Sequence, residues 1–68
     1  MLIIDVKRDA AEGLWRVMKA GGARASARKE TQEMAKQAAI TIARRTGATV
    51  RVWSRDGAKF TDLVIQRS

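Results

Sequence analysis

A stripe of alanine at helical spacing lies between two pairs of segments in which apolar and polar residues alternate. The stripe includes Ala35, Ala39 and Ala43, and alanine on the inner face lets a helix approach its neighbour closely. Alternation over six or seven residues is typical of half-buried strands. The pattern therefore predicts one helix near residues 31–46 and strands near residues 2–8, 14–20, 49–55 and 60–66, in the order ββαββ.

Local signals mark the limits of these elements. Thr31 is a good N-cap residue, and Gly47 stands where a helix commonly ends in a glycine with positive φ. Gly21-Gly22 breaks the second alternating segment, so residues 23–29 are predicted to form a loop. Asp56-Gly57 predicts a hairpin turn before the last strand.

The length of 68 residues predicts a single domain, residues 1–68, with one thin core. The expected fold is α+β, a four-stranded antiparallel sheet with the helix packed on one face. Because so small a core leaves little stability, a homodimer is an open alternative. The expected core residues are Ile4, Val6, Trp15, Val17, Ala35, Ala39, Ile42, Val50 and Val52.

The charge of the chain is strongly positive. Fourteen lysines and arginines, nine of them arginine, stand against seven acidic residues and give a net charge of +7. Residues 13–29 contain five cations and no acid. A polyanion is therefore the first partner to consider. The alternative is an ordinary solvated surface, because runs of charge are common.

The residue types that are missing exclude several classes of protein. The chain has no cysteine, which excludes disulfides and fits a reducing, cytoplasmic setting. It has no apolar run long enough to span a membrane and no signal-peptide pattern. Histidine and tyrosine are also absent, and no metal-ligand spacing or phosphate-binding loop occurs. We therefore expect a binding protein that is not an enzyme and uses no metal or cofactor.

One face of the predicted sheet is left uncovered by the helix and carries the candidate binding residues. Trp53 lies between two arginines there, so it could stack on a base while the arginines meet phosphates. Cations of the predicted loop at residues 23–29 would extend this track. Alternatively, Trp53 joins Ile3 and Met18 in an apolar streak that a second copy covers. The predicted nucleic-acid-binding residues are Arg16, Arg24, Arg28, Lys29, Arg51, Trp53 and Arg55.

Two other functions fit the same features. A protein-interaction module would dock its basic face, or an open sheet edge, on a host or partner protein. Binding to an anionic membrane is weaker, because the helix carries alanine rather than bulky anchors. No known nucleic-acid-reading motif occurs, so contact with the nucleic-acid backbone is favoured over sequence reading.

Several short motifs occur together at a characteristic spacing: Trp15-x-Val17, Gly22-Ala23-Arg24-Ala25-Ser26, Thr31-Gln32 and Arg55-Asp56-Gly57. With these motifs in this order, the chain resembles the small bacterial and phage family catalogued as domain of unknown function 2188. The resemblance extends over about residues 3–60. The resemblance implies a compact ββαββ-like unit with no established activity and no catalytic residue. The chain departs from the family pattern at Met34, at Trp53 and in Ala58-Lys59-Phe60, and the last departure leaves the register of the final strand open.

Overall fold

The computed structural model describes residues 2–19 and 27–67. They form one helix and one sheet, which confirms the predicted α+β class. No helix in these residues is long and apolar enough to cross a membrane. In chain order the elements are β1 (Ile3–Asp9), β2 (Leu14–Lys19), β3 (Ala27–Lys29), α1 (Gln32–Thr46), β4 (Ala48–Trp53) and β5 (Phe60–Ile65).

The sheet has five strands in the order β3-β2-β1-β4-β5, and its central pair, β1 and β4, is parallel. The prediction of a four-stranded antiparallel sheet was therefore wrong in both details. The helix explains the parallel pair. Because α1 carries the chain back along the sheet before β4 begins, β4 runs in the direction of β1, as in other crossover connections.

The additional strand is β3, which falls in the segment that was predicted to be a loop. Its residues pair with β2 in antiparallel register, with Lys29 opposite Trp15 and Ala27 opposite Val17. Three residues are too few to show a periodicity, so only the pairing with the edge of β2 reveals this strand. Residues 20–26, which include Gly21-Gly22 and Arg24, lie outside the described part of the chain.

The core lies between one sheet face and α1. Ile4, Val6, Val17 and Val50 have no exposed surface, and the helix contributes its alanine stripe, also fully buried. Ile42 and Val52 are partly buried rather than buried, contrary to the prediction. Ile42 lies on the flank of the stripe, and Val52 lies towards the end of β4. The buried apolar residues are Ile4, Val6, Trp15, Val17, Ala35, Ala39, Ala43, Ala48 and Val50.

The capping and turn signals have the expected geometry. The Thr31 hydroxyl accepts a hydrogen bond from the Met34 N–H at 3.2 Å. Gly47 has φ 80°, and its N–H donates to the Ala43 carbonyl at 2.8 Å. Gly57 has φ 74° and closes the turn by donating to the Ser54 carbonyl at 3.0 Å. This turn fixes the register of β5, in which Phe60 lies opposite Trp53.

Candidate nucleic-acid interface

Trp53 ends β4 on the sheet face that α1 leaves uncovered, and its ring already has three contacts. Its indole N–H donates to the Asp5 carboxylate at 3.0 Å. The Lys7 ammonium lies 4.9 Å from the ring centroid, within cation–π range. The Phe60 ring packs at 4.9 Å between centroids. A base that stacks on Trp53 must therefore displace Lys7 or Phe60.

Arg51 lies beside this cluster and binds Asp62 in bidentate geometry. Its Nε and one terminal nitrogen donate to the two carboxylate oxygens at 2.9 and 3.2 Å. The guanidinium also lies 4.3 Å from the Phe60 ring centroid. These hydrogen bonds lower the pKa of Asp62 and raise that of Arg51. The charge of Arg51 is thus already matched by an acid.

The two cations towards the β3 edge are matched in the same way. Arg16 lies opposite Arg28 in the β2–β3 pair. Arg16 forms an ion pair with Asp9 at 3.5 Å, and Arg28 forms one with Glu12 at 3.5 Å. The two acids belong to the end of β1 and the turn that follows it. This turn therefore offsets the positive charge that the sequence assigns to the open face.

The structure distributes the predicted site residues over several surfaces. The open face carries four of them, Arg16, Arg28, Arg51 and Trp53. Each lies opposite a residue of the neighbouring strand whose side chain points to the same face. Lys29 pairs with Trp15 and faces the helix side. β4 ends at Trp53, so Arg55 lies in the turn rather than on the strand. Arg24 lies outside the described residues, so its role in binding stays a prediction.

Most of the remaining cations have no acid partner. Among the described residues, no carboxylate lies within ion-pair distance of these nine: Lys7, Arg8, Lys19, Lys29, Arg44, Arg45, Arg55, Lys59 and Arg67. Only Lys29 and Arg55 of this set belong to the predicted site. Sequence reasoning overlooked the others because it sought cations beside an aromatic residue, and no periodicity distinguishes a paired cation from an unpaired one.

Four of the unpaired cations belong to the end of the sheet at which α1 terminates. Arg44 and Arg45 occupy its last turn. Lys19 ends β2, and the Arg67 backbone lies next to Gly47. No acidic residue among the described ranges belongs to this end, since Asp5 and Asp62 lie within strands and the other acids lie near the opposite end. We call Lys19, Arg44, Arg45 and Arg67 the helix-end cluster.

Two further cations meet near the start of α1. Arg8 and Arg55 both line a cleft of about 340 Å³ whose wall includes Trp15. The cleft also contains Glu30, which reduces its positive potential. No group of three potential metal ligands occurs in residues 2–19 and 27–67. Arginine and lysine at these surfaces can pair with anionic groups.

The Arg51–Asp62 pair should make stability depend on pH. Because the pKa of Asp62 is lower in the folded state, its contribution is present above the unfolded pKa and is lost as the pH falls through the folded pKa. The free energy of unfolding should therefore fall as the pH is lowered from about 5 to about 2 in urea titrations. Asp62→Asn and Arg51→Gln should each flatten this dependence to a similar extent. An unchanged profile for Arg51→Gln would contradict the assignment.

The comparisons with known proteins identify a family and no individual relative. No curated protein and no solved structure matches the chain. A sequence model of one family matches residues 5–61, which include β2, β3, α1 and β4, most of β1 and the first two residues of β5. The match confirms the resemblance predicted from the motifs. The chain belongs to DUF2188, the family described as an uncharacterized protein conserved in bacteria.

Proposed function

We propose that the protein binds nucleic acid through contacts with the phosphate backbone and performs no catalytic step. The observation that carries the proposal is the way the charges are used. Within residues 2–19 and 27–67, six of the seven side-chain carboxylates form an ion pair or accept a hydrogen bond, and four cations take part in these ion pairs. Nine of the described cations therefore keep a charge that no carboxylate offsets. This arrangement attracts a polyanion.

The distribution of the unpaired cations supports backbone contact rather than reading of bases. They lie on several surfaces, with the largest concentration in the helix-end cluster. Lysine and arginine at such positions meet phosphates regardless of sequence. Trp53 is engaged with Lys7 and Asp5, so the proposal does not require it to stack on a base.

A cytoplasmic location remains the expectation from the lack of cysteine.

A titration of short single-stranded and duplex oligonucleotides at several salt concentrations tests the proposal. With about five phosphate contacts, log K against log salt should have a slope of about −3.5 on single strands and −4.5 on duplex. The double variant Arg44→Gln/Arg45→Gln removes two unpaired cations. It should lower affinity for all sequences alike and flatten the slope by up to about two units.

The matched control is Arg51→Gln/Asp62→Asn, which removes a paired cation together with its acid and leaves the net charge unchanged. Its affinity and salt dependence should stay close to those of the parent protein. Absence of binding at about 50 mM salt and tens of micromolar protein would overturn the proposal. Equal losses in the two double variants would show that unpaired cations do not carry the binding.

A protein-interaction module remains the second candidate, and one observation favours it. In the part of the chain that the structure describes, no strand pairs with the outer edge of β5, and two apolar side chains of β5 are exposed, Phe60 by 49% and Val64 by 73%. An extended segment of another chain could add to such an edge as a further strand. If the protein binds no oligonucleotide, the protein-interaction function at this edge becomes the leading candidate.

A further inference from the structure

The backbone of β5 offers hydrogen-bonding groups on its outer side. The Ser54 N–H donates to the Lys59 carbonyl at 2.8 Å, and bonded pairs alternate along an antiparallel ladder. Thr61, Leu63 and Ile65 therefore direct their N–H and C=O groups towards β4. The Thr49 N–H donates to the Leu2 carbonyl at 3.0 Å, which fixes the same alternation from the β1 side.

It follows that Phe60, Asp62 and Val64 direct their N–H and C=O groups away from β4. Among the described residues no strand lies on that side of β5. Edge strands are usually protected from pairing by lysine, proline, a bulge or an inward charge. β5 contains only one charged residue, Asp62, and Arg51 already binds its carboxylate at 2.9 Å. The edge is thus open and unprotected over six residues.

The sequence of β5 fits an antiparallel copy of itself in one register. With Leu63 opposite Leu63 of the second copy, Asp62 and Val64 form the hydrogen-bonded pairs across the two-fold axis. Thr61 then faces Ile65 of the second copy, and both lie on the helix side. A shift that sets Asp62 against Asp62 brings like charges together. The opposite shift, which sets Val64 against Val64, shortens the overlap of the strands.

From this complementarity we propose that the protein forms a homodimer through β5, with a two-fold axis at Leu63, in which two five-stranded sheets become one continuous sheet. In this dimer, Val64 of each copy lies beside Asp62 of the other copy. This interface does not use the open face around Trp53 that the sequence suggested. The inference is independent of nucleic-acid binding.

The dimer should be weak and should depend on salt. In this register only residues 61–65 of each β5 lie opposite one another, whereas a standard interface uses roughly 20–30 residues on each side. Each copy also carries a charge of +7, so the copies repel one another. At about 0.5 M salt the screening length falls to about 4 Å, which reduces this repulsion. Phosphate contacts are suppressed under the same conditions, so the two proposals can be tested separately.

Sedimentation at about 0.5 M salt tests the dimer. Between about 20 μM and about 1 mM protein, the apparent mass should rise from 7.5 kDa towards twice that value. Amide exchange adds a residue-specific test. Exchange of the Asp62 and Val64 amides should slow as the protein concentration rises, while the Thr61 and Leu63 amides are protected at every concentration. A mass of 7.5 kDa throughout this range, or Asp62 and Val64 amides that do not respond, would overturn the proposal.

Two variants of one residue separate backbone pairing from side-chain contact. Val64→Pro removes an outward N–H without touching the β4–β5 ladder, and proline is tolerated at such edge positions. It should weaken the dimer by about tenfold or more and leave the fluorescence of Trp15 and Trp53 unchanged. Val64→Thr keeps the N–H and the branched shape, so it should still dimerise. Dimerisation of Val64→Pro at parental affinity, or its loss in Val64→Thr, would contradict the ladder.

Discussion

Replacing Trp15 with alanine should lower the free energy of unfolding by about 3–5 kcal/mol. Trp15 is only 8% exposed and is the largest side chain in the core. It lies opposite Arg8 in β1 and Lys29 in β3, so its removal would open a cavity where three strands meet the start of α1. A domain of this size has a total stability of roughly 3–10 kcal/mol. Much of the variant should therefore be unfolded at 25 °C, as urea titration followed by circular dichroism would show.

Trp53→Phe is the matched control for this substitution. Trp53 lies on the open face, and phenylalanine keeps an aromatic ring beside Phe60 while it removes the hydrogen bond to Asp5. The expected loss is about 0.5–1.5 kcal/mol, the usual net value of one hydrogen bond. If the two variants were equally stable, the assignment of Trp15 to the core and Trp53 to the surface would be wrong.

Enlarging Ala39 to leucine should destabilise the protein by about 1–3 kcal/mol, although leucine favours a helix nearly as well as alanine. Ala39 is fully buried in the middle of the alanine stripe, between α1 and the sheet. A longer side chain there must push the helix away from the sheet. Urea titration would measure the loss, and a lowered slope of the transition would indicate a loosened native state.

Thr41→Leu adds the same side chain on the exposed side of the same helix. The Thr41 hydroxyl donates to the Gln37 carbonyl within the helix, a contact that contributes little to stability. The variant should stay within about 0.5 kcal/mol of the parent protein. A destabilisation equal to that of Ala39→Leu would contradict the assignment, because it would show that the loss does not depend on close packing between α1 and the sheet.

The candidate interface could be predicted from the sequence only in part. The alternation placed Arg16, Arg51 and Trp53 correctly on the open face, because side chains alternate strictly along a strand. It could not reveal that Asp9, Glu12 and Asp62 would neutralise the cations there. Asp62 is eleven residues from Arg51, and the two meet only because the β4–β5 hairpin sets them opposite each other.

By itself the sequence determined the local structure: the helix with its Thr31 cap and Gly47 terminus, the turn at Asp56-Gly57, and the alternation that buries Ile4 and Val50. These features depend on backbone propensity and side-chain periodicity within a few residues. Only the tertiary structure decided the parallel pairing of β1 with β4, the short strand β3 and the division of cations into paired and unpaired. Each of these depends on contacts between residues distant in the chain, for which a single sequence carries no local signal.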